Sequence, residues 1–216
     1  YNDSTQHAHS KGIGLQMQIF CTLFAYTCPE DSGLHNTIFA HYQFWSRSSG
    51  RVDSLYVGFL LDFQIGNAND DYLGSMNDAF YGYNGDAIDE NGFLDNPPMA
   101  FVTSVYNPLD TFGGEIKSVF TPIYPTPVGA TYPVLPAEFY RYLTGRFRDG
   151  MPLTAGGNGY NPGSGDPPLC CAFPGDPTEN GGWSEISAGN SPGDRRAVAS
   201  FGPVTLLPFH LQDMCL

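Results

Sequence analysis

An antiparallel, all-β sandwich, jelly-roll-like and carrying long Asp-, Gly- and Pro-rich loops, is the fold this sequence predicts. Three early segments alternate apolar and polar residues with the two-residue period of a half-buried strand. Gly 26 and Pro 18 together exceed a fifth of the 216 residues, which favours many turns and short strands. Only one segment carries helix signals, too little to cover a parallel sheet. With 41% hydrophobic residues the chain can bury a core.

The elements follow in order. Residues 13–26 place Ile13, Leu15, Met17, Ile19, Cys21 and Leu23 on one face and Gln16, Gln18 and Thr22 on the other. Residues 36–46 repeat the pattern through Ile38, Ala40, Tyr42 and Phe44. After a turn at Ser48-Ser49-Gly50, residues 52–61 do so through Leu55, Val57, Phe59 and Leu61. Short connections suggest a meander of these three strands. A short aromatic strand (79–83) and strands near 99–106 and 116–120 follow. Residues 121–136 hold five prolines and read as an extended surface connection. Residues 136–144 read as the one short helix, with Pro136 at the first position, Arg141 near the end and Gly145 just beyond. A Gly/Pro loop spans 150–168, and strands near 169–173 and 196–206 close the chain. Residues 1–12 read as an N-terminal extension and 13–216 as a single sandwich domain. A start at Tyr1, with neither Met nor signal peptide, suggests a processed piece of a longer protein.

The net charge of −13 would repel a nucleic-acid backbone. No apolar run is long enough to span a bilayer. Five cysteines (Cys21, Cys28, Cys170, Cys171, Cys215) show no CxxC spacing, so a zinc site is not indicated. A Cys21–Cys28 disulfide and five unpaired thiols are both compatible with this pattern.

The chemically informative stretch lies between residues 62 and 98. It offers Asp62, Gln64, Asn67, Asp70 and Asp71, then Asp86, Asp89 and Asp95, among Asn and Gly residues. Hard cations take six to eight oxygen ligands on backbone that can curl around them, so these eight residues are the candidate calcium ligands. Crowded carboxylates also repel one another unless a cation or protons intervene. The competing reading is local turn chemistry, each Asp or Asn capping its own bend. His7-x-His9 lies in the N-terminal segment, and His41 sits beside Gln43 without a nucleophile signature. Glu115, Glu138, Glu179 and Glu185 are the carboxylates a glycosidase-type pair would draw on; no enzyme active site is indicated. Trp45 and Trp183 are either packing residues or sugar platforms. Asp194-Arg195-Arg196 suggests an internal ion pair fixing a loop.

Several phrases in series carry a resemblance: LYVGFLLDFQIGNANDDYLGSMNDAFYGYNGD, DENGFLDNPPMAF, YRYLTGRFRDGMPLTAGGNGY, and FPGDPTENGGWSEISAGNSPGDRRAVASFGPVTLLP. Over roughly residues 36–210 the chain resembles a module of large secreted proteins of Bacteroidetes-type bacteria, typical cargo of type IX secretion with a sorting domain at the C-terminus. In that pattern Asp-x-Asp-x-Gly corresponds to Asp62-Phe63-Gln64-Ile65-Gly66, so the neutral Gln64 removes one carboxylate. Asp70-Asp71, Tyr83 to Asp86, Gly175 to Pro177 and Gly202 to Leu206 match further motifs. The resemblance implies export and an extracellular or outer-surface location. The expectation is therefore a non-catalytic structural or adhesive module, stabilised by calcium. Its partners would be other domains of the same polypeptide, the secretion machinery, surface glycans or further copies of itself. The alternatives are a carbohydrate-binding module, a domain of a secreted hydrolase, and a subunit of an extracellular filament.

Overall fold

The computed structural model describes residues 1–107, 116–179 and 181–216. Its strands, in chain order, are β1 (Asn2–Asp3), β2 (Met17–Ala25), β3 (Ile38–Ser46), β4 (Val52–Phe63), β5 (Asp71–Met76) and β6 (Ala79–Asn84). They continue with β7 (Ile88–Asp89), β8 (Leu94–Asp95), β9 (Ala100–Thr103), β10 (Lys117–Ile123), β11 (Arg195–Leu206) and β12 (Leu211–Cys215). Among the described residues the α-helices are a single turn, α1 (Ser32–His35), and α2 (Pro136–Leu143), with one 3-10 turn at Val128–Ala130. The fold class is thus all-β, antiparallel and sandwich-like.

The chain divides into two compact units where the sequence suggests one domain. The first comprises Tyr1–Leu55, Ser104–Ile116 and Gly202–Leu216; the second, Tyr56–Thr103 and Lys117–Phe201. In the first unit, β1-β2-β3-β12 form one sheet. Residues 1–12 are therefore more than an extension, because β1 pairs Asn2 with Gln18 and Asp3 with Met17. Met17, Phe44, Met214 and Cys215 are buried in this sheet.

The expected three-stranded meander does not form. β2 and β3 make a long hairpin, but the other neighbour of β3 is β12, whose pairing Leu211↔Trp45 to Cys215↔His41 was not legible locally. β4 instead belongs to the order β10-β11-β4. A strand pairs with whatever edge the tertiary fold presents, and periodicity carries no information about that choice. Strand β2 also starts later than its pattern suggests and is largely exposed beyond Ile19.

The second unit is built around aromatic packing. Phe80 and Phe120 stack at 4.8 Å, with Phe201 at 6.1 Å from Phe80. Tyr142, Phe147, Leu153 and Phe173 are also fully buried. Within this unit strand β4 keeps its expected face, with Val57, Phe59 and Leu61 at least half-buried. Pro122 is tolerated in β10 because that strand lies at the edge of its sheet. Helix α2 begins at Pro136, and the Glu138 carboxylate accepts the N–H groups of Val134 (2.7 Å) and Leu135 (3.0 Å). It ends at Gly145, whose φ of +74° suits the left-handed turn that follows. The proline-rich connection is not a surface strap: Ile123, Tyr124 and Ala130 are buried in it, since its apolar side chains complete the core. Around 169–173 there is a single bridge, Phe120↔Cys171, in place of a strand.

Candidate metal centre

The acidic loops belong to the second unit and are organised by one carboxylate. Strand β4 ends in Phe63, and Phe63 and Ile65 are both buried, anchoring the chain before it turns at Gly66. Gly66 has φ +67°, and a Cβ there would fall 1.8 Å from Asp89 Oδ2. Only glycine lets the backbone approach Asp89 this closely. Asp89 is buried and accepts the N–H groups of Asn67 (2.8 Å), Asn91 (3.2 Å) and Phe93 (2.6 Å). Those donors, the Phe93 N–H above all, hold its carboxyl below the usual range. Asp89 is thus an ionised hub fastening the 65–67 turn to the 89–93 loop.

Asp71 is placed differently. It opens β5, is fully buried, and accepts the Ile65 N–H through Oδ2 at 3.0 Å. Its other oxygen, Oδ1, has no hydrogen-bond partner. Burial pushes this carboxyl up to about 6; the Ile65 N–H opposes the rise and the charges of Asp70 and Asp89 add to it. Directly across the β5–β6 ladder stands Asn84. Asn84 donates to the carbonyls of Asp86 (3.2 Å) and Ile88 (3.4 Å), and its own Oδ1 lacks a partner. Asp70 accepts the Asn67 amide through Oδ2 at 3.2 Å, while its buried Oδ1 is likewise unpartnered. Its carboxyl is raised by burial and by the Glu90 charge.

Among the described residues, five buried side-chain polar atoms lack a partner, and three of them are these acceptor oxygens. An unmatched buried acceptor is costly. A proton on Asp71 or a bound cation would satisfy such oxygens. Calcium accepts amide and carbonyl oxygens beside carboxylates, so Asn84 and Asn67 count as potential ligands here. Within the described residues no three His, Cys, Asp or Glu side chains form a ready-made ion-holding group. A site built here would draw on Asp70, Asp71 and amide oxygens together.

The other expected ligands are engaged elsewhere or exposed. Asp62 pairs with Arg196 at 2.9 Å, and Arg196 also holds Asp194 at 2.7 Å. Gln64 is exposed. Asp86 caps its own turn by accepting the Ile88 N–H at 2.8 Å, as the turn-chemistry reading expects. Asp95 is exposed on β8. The eight residues therefore do not form one cluster: Asn67, Asp70, Asp71 and Asp89 are brought together, and Asp62, Gln64, Asp86 and Asp95 are not.

Two residues take places in this region that their local sequence does not signal. Asn84, on the aromatic strand, is made relevant only by its register opposite Asp71. Glu185 is fully buried and binds Arg195 through both oxygens, with Nε–Oε1 at 3.0 Å and Nη2–Oε2 at 2.9 Å. It also accepts the Leu73 N–H at 2.9 Å, tying the start of β11 to β5. The expected ion pair of the Asp194-Arg195-Arg196 segment is therefore present, with Glu185 as the partner of Arg195. Glu138 serves helix α2 and Arg148, Glu179 is exposed, and Glu115 lies outside the described residues. His7 contacts Asp3, and His41 contacts Asp213 at 3.0 Å. All five cysteines are free thiols. Trp183 packs on Phe173 at 4.9 Å, whereas Trp45 lies at the surface under the Arg47 guanidinium. Among the described residues no helix is long and apolar enough to cross a membrane. No family model, no curated protein and no solved structure matches this chain.

Proposed function

We propose that this chain is a non-catalytic structural or adhesive module of a secreted or cell-surface protein, and that a hard cation such as Ca²⁺ stabilises its 62–95 loops. The trio of unpartnered acceptor oxygens on Asp70, Asp71 and Asn84 carries this reading. Cation binding would neutralise Asp70 and Asp71 beside the already fixed Asp89, coupling ion affinity to loop order. The resemblance to secreted bacterial modules supports the extracellular setting, where calcium is abundant. Terbium, a luminescent calcium substitute, tests it directly. Tyr72 and Tyr83 flank Asp71 and Asn84 in the ladder and should sensitise its emission. The reading predicts saturable emission that calcium competes away, together with a calcium-dependent rise in Tm. Equal Tm values in chelator and in calcium, without terbium emission, would overturn it.

A specific cleft favours the carbohydrate-binding alternative. Tyr124, Tyr132, Val134, Arg148, Asp194 and Arg196 line an open cleft of about 600 Å³ in the second unit, with the Arg196 guanidinium 5.8 Å from the Tyr132 ring centre. Aromatic and planar charged groups side by side suit a sugar ring. A glycan array with the wild-type chain and Tyr132→Ala separates this reading from a purely structural role.

A further inference from the structure

The β2–β3 hairpin of the first unit leaves one strand edge open, and that edge is self-complementary. The Ile19 N–H donates to Tyr1 O at 2.8 Å, and the Tyr1 amino group donates to Ile19 O at 2.8 Å. Odd-numbered residues of β2 therefore point their backbone groups away from β3, while Gln18, Phe20, Thr22 and Phe24 bond to it. β1 stops at this point. Beyond it, among the described residues, Cys21, Leu23 and Ala25 have no strand beside them.

The side chains around this edge are apolar and exposed: Phe20 at 50%, Leu23 at 65% and Ile38, across the hairpin, at 72%. Phe24 stacks on Phe39 at 5.1 Å, with Tyr26 edge-on to both, forming an aromatic cluster on one face. A hairpin exposed on both faces is marginal in water by itself, and an open apolar edge invites another strand.

Charge selects the occupant. Residues 12–28 contain no Asp, Glu, Lys, Arg or His, in a chain of net charge −13. This strip is one surface along which two copies can meet without bringing like charges together.

We propose that two copies of this chain pair antiparallel through β2, with a twofold axis at Leu23. In that register Leu23 faces Leu23 of the second copy, and Cys21 faces its Ala25. All three open positions are used, giving about six backbone hydrogen bonds. On the opposite face Phe20 meets Tyr26 of the second copy, a cross-strand aromatic pair. The register also fits the ends: β2 of the second copy finishes at Ala25, before reaching the place that Tyr1 occupies beside Ile19. A twofold arrangement closes on itself and yields a dimer, not a filament. It is independent of any ion at the acidic loops.

Sedimentation analysis of the 216-residue chain tests the proposal, in chelator so that the ion plays no part. A species of twice the 23.5 kDa chain mass is expected for wild type. Leu23→Pro removes only the outward N–H and leaves the β2–β3 ladder intact. It should weaken dimerisation at least tenfold while keeping the monomer's circular dichroism. Ala25→Cys provides a second measure that does not depend on how the proline variant folds. Mild oxidation should give a covalent dimer linking Cys21 of one copy to position 25 of the other, identified by peptide mass mapping. A wild-type chain monomeric up to about 100 μM, well above the micromolar limit of weak specific pairs, overturns the proposal. A dimer that survives Leu23→Pro, or a crosslink at other positions, overturns it equally.

Discussion

Asp71 should make the cation-free protein less stable as pH rises from 5 to 8, opposite to the usual behaviour of a paired carboxylate. Its carboxyl titrates at about 6 in the folded chain, against 3.8 for the ordinary group. The folded state therefore holds the Asp71 proton more tightly than the unfolded state. The associated stability is complete below about pH 4 and is lost as pH rises through 6. A shift of this size corresponds to about 3 kcal/mol at full strength. Only about half of this is given up between pH 5 and 8, since the group is already partly titrated at pH 5, and solvent screening at the exposed Gln64 and Glu90 brings it to about 1 kcal/mol. For a chain of this length that is a fall in Tm of about 2–4 °C. Asp70 and Glu185 are also raised by burial and contribute in the same direction. Asp89, Glu138 and Asp176 are held low, and their contribution is lost only in more acidic solution, outside this window. In a Trp45→Phe background Trp183 is the only tryptophan and reports the second unit. Its fluorescence melts, in chelator, should show the fall between pH 5 and 8, and Asp71→Asn should remove at least half of it. Calcium should abolish the fall, because a cation replaces the proton on the ionised carboxylate. A Tm that is flat or rising with pH in chelator, or a slope untouched by Asp71→Asn, would refute the assignment of Asp71 as a buried, under-satisfied acid.

Further outcomes follow from the same geometry. Gly66→Ala should destabilise the second unit by about 2 kcal/mol or more, since its Cβ would collide with Asp89 at a left-handed φ; urea denaturation measures this. Glu185→Gln should cost about 3–5 kcal/mol by leaving Arg195 buried without a counter-charge, and hydrogen exchange at Leu73 should accelerate. Asn84→Asp adds a carboxylate opposite Asp71. It should lower Tm in chelator at pH 8 and tighten terbium binding, and a weaker terbium signal would contradict the placement of Asn84 among the ligands.

Composition and two-residue alternation were enough to establish an all-β chain, the places of β3, β4 and β6 to within about two residues, and a helix starting at Pro136, because these depend on neighbours along the chain. Clustered Asp and Asn likewise pointed to the 62–95 loops. Which side chains share a site was a matter of register and burial. Asn84 meets Asp71 only because β5 pairs with β6, and Asp62 is withdrawn by Arg196, more than a hundred residues away. Glu185 reads as an ordinary loop acid until Arg195 and Leu73 close around it. The open edge of β2 followed from tertiary structure as well: the same alternation that would bury a strand between two neighbours leaves Leu23 and Phe20 in water when the third strand joins elsewhere. Local pattern carries the preference of each residue for a conformation, whereas pairing partner, desolvation and charge environment come from residues distant in sequence, and these decide what a site can hold.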